Sequence, residues 1–523
     1  MSTKTLVKRS EYHDSVTLML VARELAKQPG VQDAAVVMGT DANKGLLRES
    51  GLLTAEAQAA GPNDLVIVVS AADGETAEAA LAASEGLLRH RSQAGTGAEF
   101  RPKTLRGAVK ATPGANVAVI SVAGRYAADE AWDALRHGLH VLLFSDNVAV
   151  EDEVALKRYA RDRGLLLMGP GAGTAILNGV ALGFANVLPS GPVGIVSAAG
   201  TGLQEVTCLL ARQGVGITQG IGTGARDMSE AVGGLMMIAG LKALQDDPAT
   251  QVITLVSKPP APSVAGSVLS QVAAGRKPAI VCFLGGNPRM VANVPNAVPA
   301  VTLEEAASLT AQAAGADGPS VDELGERGEL DLRLQAEECR AALAPGQRYL
   351  RGLFSGGTLC YEAQVVWRDV LNAPVHSNAP LDKALRLKDS SRSEGHTAVD
   401  LGEEEFTVGR PHPMIDNDLR IRRLLQEARD AQVAVILLDV VLGYGAHPDP
   451  AGELGAAVLQ ARKAAQEGGR ELLVVASVTG TADDPQDRAR QVTRLEAAGV
   501  VVCPSNAAAA QLAGAVVGQD VAR

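Results

Sequence analysis

The fold is decided by the stretch Val193-Gly194-Ile195-Val196-Ser197-Ala198-Ala199-Gly200-Thr201-Gly202. Its apolar, β-branched start predicts a strand, its Ser, Gly and Thr residues predict a turn, and the following Leu203–Gln213 predicts a helix. The same order of strand, turn and helix recurs along the chain. Because the apolar runs are continuous rather than alternating, they indicate strands that are covered on both faces, as in parallel sheets.

Ten further apolar runs share this character and are separated by Ala- and Leu-rich helical stretches. They are Ala34–Met38, Leu65–Val69, Val117–Val122, Val141–Phe144, Leu165–Met168, Gln251–Val256, Ala279–Leu284, Ala434–Leu438, Leu472–Ala476 and Val500–Cys503. Regular alternation of strands and helices is typical of right-handed βαβ units. The sequence therefore predicts an α/β protein of several Rossmann-like or flavodoxin-like, doubly wound parallel-sheet domains.

Composition narrows the possible functions. The chain has 523 residues, which corresponds to about three domains at roughly 150 residues each. Apolar residues make up 46% and charged residues 20%, so the chain is not disordered as a whole. The net charge of −11 and the aromatic content of 3% argue against a nucleic-acid partner.

Neither targeting segments nor metal motifs are recognisable. No stretch reaches the roughly 20 apolar residues of a membrane helix, and the segment after Met1–Ser10 is not an apolar signal-peptide core. The five cysteines are widely spaced without a CxxC pair, which fits neither a disulfide framework nor a zinc site. We expect a reduced cytoplasmic protein with no metal and no membrane partner.

Breaks in the pattern predict the domain boundaries. Residues 88–114 are polar and rich in glycine, residues 188–192 form a Pro-Ser-Gly-Pro joint, and residues 314–347 are acidic. We expect five segments: an N-terminal α/β lobe, a Rossmann lobe resembling a CoA-binding domain, a first flavodoxin-type lobe, an acidic linker and a second flavodoxin-type lobe. Their bounds are 1–112, 113–188, 189–313, 314–345 and 346–523.

Two turns have the composition of anion sites. Each follows a predicted strand and opens a predicted helix, where free N–H groups and the helix dipole favour negative charge. Their candidate phosphate-binding residues are Ser197, Gly200, Thr201 and Gly202 in the first turn, and Ser355, Gly356, Gly357 and Thr358 in the second. Neither matches a P-loop or a dinucleotide fingerprint. Two helix N-termini aimed at one point would hold a phosphate or an acyl phosphate; alternatively, each is only a well-capped helix start.

The string Gly409-Arg410-Pro411-His412-Pro413-Met414-Ile415-Asp416 predicts a rigid substrate loop. Arg410 can bind a carboxylate through two hydrogen bonds, and His412 can exchange a proton with a leaving amide. The alternative is a structural turn whose Asp caps the next helix. Lys258 also follows a predicted strand and is a candidate catalytic partner of phosphate, although the following Pro259-Pro260 pair alone would end that strand.

Further candidate substrate residues lie in other turns at predicted strand ends. They are Gly169, Pro170, Arg226 and Asp439. Turns at the carboxyl ends of parallel strands are where such sheets bind ligands. Each of these turns also fits a purely structural role.

Several of these strings resemble a known family. Val117–Gly202, with Met168-Gly169-Pro170 and Gly200-Thr201, resembles the α subunit of succinyl-CoA synthetase. The last segment, from Gly352 through Gly402, resembles the flavodoxin-like ligase domain of the β subunit. The whole chain, including Asp14-Ser15-Val16 and Gly409–Asp416, resembles the FdrA family, whose members are usually labelled acyl-CoA synthetases.

The departures from the synthetases are informative. The resemblance implies a phosphate-carrying histidine after Ala279–Leu284, yet the chain has no histidine between His140 and His376. No segment resembles a nucleotide-binding ATP-grasp domain or the glycine-rich CoA turn of the synthetases. A phosphohistidine at the usual place is therefore impossible, and no cofactor is expected besides phosphate as a substrate.

The FdrA resemblance implies a large subunit of oxamate carbamoyltransferase, which acts in purine (allantoin) catabolism. In that reaction phosphate cleaves oxalurate to carbamoyl phosphate and oxamate. Phosphate would lie between the two turns, Arg410 and Arg226 would hold the oxalurate carboxylate, and His412 would protonate the departing nitrogen. Backbone N–H groups would stabilise the developing charge.

Two alternatives remain open from the sequence. The chain is then either an acyl-CoA ligase that takes its nucleotide site from a partner and uses CoA, or a non-catalytic scaffold that senses a small acid. All three readings imply small acids or acyl phosphates as ligands and other subunits in a hetero-oligomer.

Overall fold

The computed structural model describes residues 2–11, 13, 15–93, 102–316, 332–407 and 410–518. The chain forms two compact units. The first comprises residues 1–101 and 404–412, and the second comprises residues 102–403 and 413–523. The first unit therefore ends before the boundary expected at residue 112.

The first unit is built on a three-stranded antiparallel sheet with strand order β1-β3-β2. The strands are β1 (Ser2–Lys8), β2 (Val31–Met38) and β3 (Leu65–Ala71). The helices are α1 (Ser15–Ala26), α2 (Asp41–Glu49), α3 (Ala55–Ala59) and α4 (Gly74–Gln93).

The antiparallel pairing corrects the expected parallel sheet in this unit. The central strand β3 is apolar throughout because it is covered on both faces. Leu65 and Ile67 pack in one apolar cluster with residues of α1 and α4, whereas Val66 and Val68 pack in another with Leu47 of α2. A continuous apolar run thus indicates that both faces of the strand are covered. It does not show whether the neighbouring strands are parallel or antiparallel.

The second unit begins with a small parallel sheet of strand order β4-β5-β6. Its elements are α5 (Leu105–Ala111), β4 (Val117–Ile120), α6 (Gly124–Arg136), β5 (His140–Leu143), α7 (Val150–Arg161) and β6 (Leu167–Met168). Neighbouring strands in this sheet are also neighbours in the sequence. Nucleotide-binding doubly wound sheets bind ligands where the strand order reverses. Within the described residues this small sheet contains no such reversal.

A seven-stranded sheet of order β13-β12-β11-β9-β10-β7-β8 follows. Its strands are β7 (Thr174–Leu177), β8 (Val180–Gly183), β9 (Ser190–Ser197), β10 (Ile217–Gly222), β11 (Val252–Ser257), β12 (Ala279–Phe283) and β13 (Ala297–Ala300). Its helices are α8 (Gly200–Arg212), α9 (Leu235–Asp246), α10 (Pro262–Ala273), α11 (Arg289–Ala292) and α12 (Leu303–Ala313). The strands pair in parallel except at β7, which pairs antiparallel with β8 and β10. The β7–β8 hairpin was not expected from the sequence.

The six-stranded sheet of order β15-β16-β14-β17-β18-β19 is parallel throughout. Its strands are β14 (Tyr349–Phe354), β15 (Val375–Ser377), β16 (His396–Asp400), β17 (Val433–Val441), β18 (Leu473–Thr479) and β19 (Val501–Cys503). The helices here are α13 (Gly357–Val370), α14 (Glu404–Thr407), α15 (Asp418–Glu427), α16 (Pro450–Glu467), α17 (Arg488–Ala497) and α18 (Asn506–Val517). Helix α14 clusters with the first unit.

The two large sheets share one apolar core. A single buried cluster contains Ile195 and Leu203 from the seven-stranded side together with Phe354, Trp367 and Leu437 from the six-stranded side. Residues 332–341, inside the expected linker, are helical. In the described part of the chain no helix is long and apolar enough to cross a bilayer.

Candidate anion site

The two predicted turns meet in the structure. A Cβ placed on Gly356 would lie 2.6 Å from Cγ2 of Thr201, and one placed on Gly202 would lie 3.0 Å from Cγ2 of Thr358. The start of helix α8 therefore touches the start of helix α13. Glycine at these two positions allows the close approach because any larger residue would bring a methyl group into the opposite turn.

Both helix starts retain hydrogen-bond donors. Neither N-cap residue, Ala199 or Gly356, caps its helix with a side chain. Both threonine side chains lie in buried residues, with Thr201 7% and Thr358 5% exposed. Within the described residues, neither hydroxyl has a protein hydrogen-bond partner, nor do the N–H groups of residues 200–202 and 357–359. Such donors at two positive helix ends can bind an oxyanion.

Ser197 is not among these free donors. Its hydroxyl donates to the carbonyl of Ala199 at 2.8 Å and accepts from the N–H of Ala199 at 3.0 Å. The side chain thus shapes its own turn. The Ser197 hydroxyl, which was expected to bind the anion, donates its hydrogen within its own turn instead.

The second turn contains an anion of its own, the carboxylate of Asp439 near the end of β17. It accepts hydrogen bonds from the N–H groups of Ser355 and Gly356, each at 2.8 Å, and from the Ser355 hydroxyl at 3.0 Å. The fully buried Asp439 also pairs with Arg420 at 2.9 Å. This carboxylate therefore occupies the donors of Ser355 and Gly356 that the sequence predicts for phosphate, and its role is to hold the turn rather than to bind substrate.

Lys258 lies beside the junction of the two turns. Its Nζ would be 3.9 Å from a Cβ on Gly357, the first residue of α13, and it lies 5.3 Å from the ring centre of Tyr361. Among the described residues it forms no ion pair. An ammonium group next to two helix N-termini adds to the positive potential of the site.

Asp400 is the site residue that sequence reasoning missed. It ends β16, and its Oδ2 would be 2.4 Å from a Cβ on Gly357, on the same residue that Lys258 approaches. Asn378 fixes the backbone of Asp400 by hydrogen bonds of 2.9 Å to both its N–H and its carbonyl. An aspartate at or near the end of a parallel strand is a sequence signal, but it also occurs at Asp439 and does not by itself identify the site.

The environment of Asp400 disfavours its charged form. Burial and the nearby Glu403 carboxylate raise the pKa of Asp400 to about 7, although Lys258 and an N–H bond from Gly402 act in the opposite direction. Asp400 is 3% exposed and accepts the Gly402 N–H at 2.9 Å. A carboxyl group that is half protonated near neutral pH can both give and take a proton.

Arg226 is engaged elsewhere in the second unit. Its Nε pairs with buried Glu153 at 2.9 Å, and its Nη2 donates to the carbonyl of Val148 at 2.8 Å. Glu153 also pairs with the buried Lys157, whose second carboxylate partner is Asp227. These contacts give Arg226 a structural role in tying its turn to helix α7.

Gly169 and Pro170 also pack internally. Both residues are buried, and the Gly169 N–H donates to the carbonyl of Thr223 at 3.3 Å. Gly169 has a φ of 114°, and a Cβ there would lie 2.2 Å from the carbonyl oxygen of Leu143. The close backbone approach explains the glycine, and the substrate role of this turn stays a prediction.

Arg410 and His412 fall in the first compact unit, whereas both helix starts belong to the second. Arg410 is exposed and His412 is partly buried. Gly409, at the start of their string, lies outside the described residues. The roles expected for Arg410 and His412 therefore stay predictions.

Comparison with known families agrees with this architecture. The model of the CoA-ligase family matches residues 353–516. Over 146 residues the chain is 28% identical to the α subunit of ADP-forming succinate–CoA ligase from Methanothermobacter thermautotrophicus, covering 27% of this chain and 48% of that subunit. The chain spans about half the length of that relative. The matches show that residues 353–516 resemble the CoA-ligase family and that part of the chain is similar to the α subunit of succinate–CoA ligase.

A second relative covers almost the whole chain. It is 45% identical over 506 residues, 97% of each protein, and is the uncharacterized protein YahF of Escherichia coli K12. The chain therefore belongs to the YahF family. Among solved structures, an acetyl-coenzyme A synthetase of Ca. Korarchaeum cryptofilum in complex with phosphate and ADP shares 16% identity over 77% of this chain and 82% of that one, with a TM-score of 0.28.

Residues 1–102 match the model of the AllF heavy metal-associated domain. The first cysteine of the chain is Cys208, so this segment offers no thiolate ligand for a soft metal. Within the described residues no group of three or more His, Cys, Asp or Glu side chains is arranged to hold an ion. The residues present do not fit a heavy-metal site.

Proposed function

We propose that this chain is an FdrA-type subunit of an oxamate carbamoyltransferase. In the reaction, phosphate attacks the carbamoyl carbon of oxalurate, and carbamoyl phosphate and oxamate are formed. The observation that carries the proposal is the junction of two helix N-termini beside Lys258, where the Thr201 and Thr358 hydroxyls have no protein partner in the described part of the chain.

The site suits an inorganic oxyanion that enters from solution. Lys258 supplies a positive charge, and the hydroxyls and N–H groups at the two helix starts supply directed hydrogen bonds. The same donors would stabilise the negative charge that builds on the oxygens during attack on the carbamoyl carbon. Because the chain has no histidine between residues 140 and 376, phosphate here would act directly rather than through a phosphohistidine.

The order of the small sheet, β4-β5-β6, is consistent with a reaction that uses no CoA. Its described strands are neighbours in sequence order, so they contain no reversal of strand order of the kind at which such folds bind nucleotide-like ligands. A phosphate-dependent transferase needs neither CoA nor ATP.

The second candidate is an acyl-CoA ligase subunit. The CoA-ligase match over residues 353–516 favours it. In that case a partner subunit would supply the nucleotide site, and the site described here would hold an acyl phosphate. The complex would then form ADP from ATP only when an acid and CoA are present.

The test is a reaction of the full chain, purified with its partner subunits, with oxalurate and phosphate. We expect carbamoyl phosphate without added CoA or ATP. Lys258→Met removes the charge beside the phosphate, so its KM for phosphate should rise at least 10-fold. The matched control is Lys242→Met, which changes an exposed lysine of helix α9 and should leave the KM unchanged.

Three results would contradict the proposal. The first is no carbamoyl phosphate with all partner subunits present. The second is ADP formation that depends on an acid and CoA, which would support the ligase. The third is full turnover by the Lys258→Met complex with an unchanged phosphate KM, which would assign the chain to the scaffold class.

A further inference from the structure

Asp400 is a buried acid beside the anion site to which the resemblance assigns no role. It reaches Gly357 from the six-stranded sheet, whereas Lys258 reaches the same residue from the end of β11 in the seven-stranded sheet. The two charged groups thus flank the first residue of helix α13. Any anion held at this helix start lies next to the Asp400 carboxyl group.

Accepting the proposed function, we propose that Asp400 is the catalytic acid that protonates the nitrogen leaving the carbamoyl group. The sequence assigned this step to His412, which lies in the other compact unit. Asp400 is close enough to act, because its Oδ2 lies beside Gly357, the first residue of α13 whose N–H group would bind phosphate. It also has a fixed backbone, because both of its peptide groups bond to Asn378.

The proton balance of the step closes without another reactant. An oxygen of hydrogen phosphate forms a bond to the carbamoyl carbon, and the bond from that carbon to the amide nitrogen breaks. The electron pair goes to the nitrogen, which takes the proton of Asp400 and leaves as oxamate. The Asp400 carboxylate then takes the proton of the attacking hydrogen phosphate, so the enzyme returns to its starting state.

The charged groups around Asp400 set the pH at which it can act. Lys258 faces it from the β11 turn, Glu403 follows it on its own chain segment, and Asp439 lies near the end of β17, the strand on the far side of β14. The thiol of Cys360 on helix α13 is the other titratable neighbour, and burial keeps its pKa well above the usual range. Of these groups Glu403 is exposed, and its charge raises the pKa of Asp400.

The experiment measures oxalurate phosphorolysis by the full complex against pH. In the wild type kcat should fall above about pH 7, as Asp400 loses its proton. Asp400→Asn should lower kcat by about 100-fold or more with little change in the phosphate KM, and should lose this fall. Glu403→Gln removes the neighbouring charge, so kcat should remain near the wild-type value at pH 6 while its fall moves to lower pH.

The outcomes separate this inference from the proposed function. A wild-type complex that releases no carbamoyl phosphate overturns both. An active wild type whose Asp400→Asn variant keeps kcat within threefold overturns the role of Asp400 and leaves the function standing. If Asp400→Asn does not fold, as judged by circular dichroism, Glu403→Gln decides: a pH profile that does not move overturns the inference.

Discussion

Asp400 ends β16 and Asp439 lies near the end of β17, the two strands that flank β14, yet their surroundings differ in kind. Asp439 accepts two N–H groups and a hydroxyl and pairs with the buried guanidinium of Arg420. Among the residues that the structure describes, the Asp400 carboxylate accepts one N–H, that of Gly402, and has no arginine partner. The same residue type at similar positions in two strands therefore has two roles: Asp439 holds the turn, and Asp400, whose pKa burial raises to about 7, can exchange a proton near neutral pH.

Asp439→Asn tests the structural role at the residue scale. The change would leave Arg420, which is 2% exposed, as a buried charge without its partner. We expect a loss of about 3–5 kcal/mol in the free energy of unfolding of the second unit, measured by urea denaturation. Asp418→Asn is the matched control. It removes an exposed partner of Arg422, so its cost should stay below about 1 kcal/mol. Equal effects of the two changes would contradict the role of Asp439.

At the scale of elements, the site depends on two strand–turn–helix units that approach through small residues. Gly202 and Thr201, at the start of helix α8, face Thr358 and Gly356, at the start of helix α13. Each turn thus contributes a glycine and a threonine to the other. The composition of both turns was predictable from the sequence because a turn is a local feature. Their contact was not, since it joins residues more than 150 positions apart.

Gly356→Ala tests this contact. The backbone of Gly356, with φ −114° and ψ 115°, accepts alanine, so the effect of the change is steric alone. The new Cβ would lie 2.6 Å from Thr201 Cγ2 and would push the two helix starts apart. We expect phosphate affinity, measured by calorimetry, to fall at least 10-fold.

Gly266→Ala is the control for that substitution. Gly266 is exposed on helix α10, and a Cβ there meets nothing within 4 Å. This change should leave phosphate affinity unchanged and stabilise the helix by about 1 kcal/mol. Unaltered phosphate binding by Gly356→Ala would show that the closeness of the turns does not matter.

At the scale of the whole molecule, buried polar groups join the two large sheets of the second unit. Glu362 on helix α13 is 1% exposed and accepts the N–H of Leu303, at the start of α12, at 2.7 Å. It also accepts from Nδ2 of Asn506, at the start of α18, at 2.8 Å. Asn506 in turn donates its N–H to Glu205 of α8 at 3.0 Å. Helices α8 and α13, which carry the anion site, are thus linked by buried hydrogen bonds through Asn506.

This junction predicts a pH-dependent stability. Burial raises the pKa of Glu362 from 4.5 to about 8, so the folded chain keeps a proton that the unfolded chain releases above about pH 4.5. Its contribution to stability is therefore full below pH 4.5 and declines up to pH 8, by at most about 1.4 kcal/mol per pH unit. Burial also raises the pKa of Glu205, which acts in the same direction.

Urea unfolding at pH 6 and pH 8 measures the effect. The wild type should be less stable at pH 8, and Glu362→Gln, which cannot ionise, should reduce the difference. Glu467→Gln is the control, because Glu467 is 69% exposed and should leave the pH dependence as it is. A Glu362→Gln variant with the full wild-type difference would contradict this role of Glu362.

The sequence by itself determined the α/β class, the two Gly-Thr turns, the missing histidine carrier and the missing cysteines of the first segment. These are properties of residue type and short-range pattern, so they can be seen in the chain without its folding. The tertiary structure alone decided that β1, β2 and β3 pair antiparallel, that Asp439 caps the second turn, and that Asp400 and Lys258 meet at Gly357. These outcomes depend on which distant segments share a core, because backbone pairing and burial are settled by packing over the whole unit rather than by local preference.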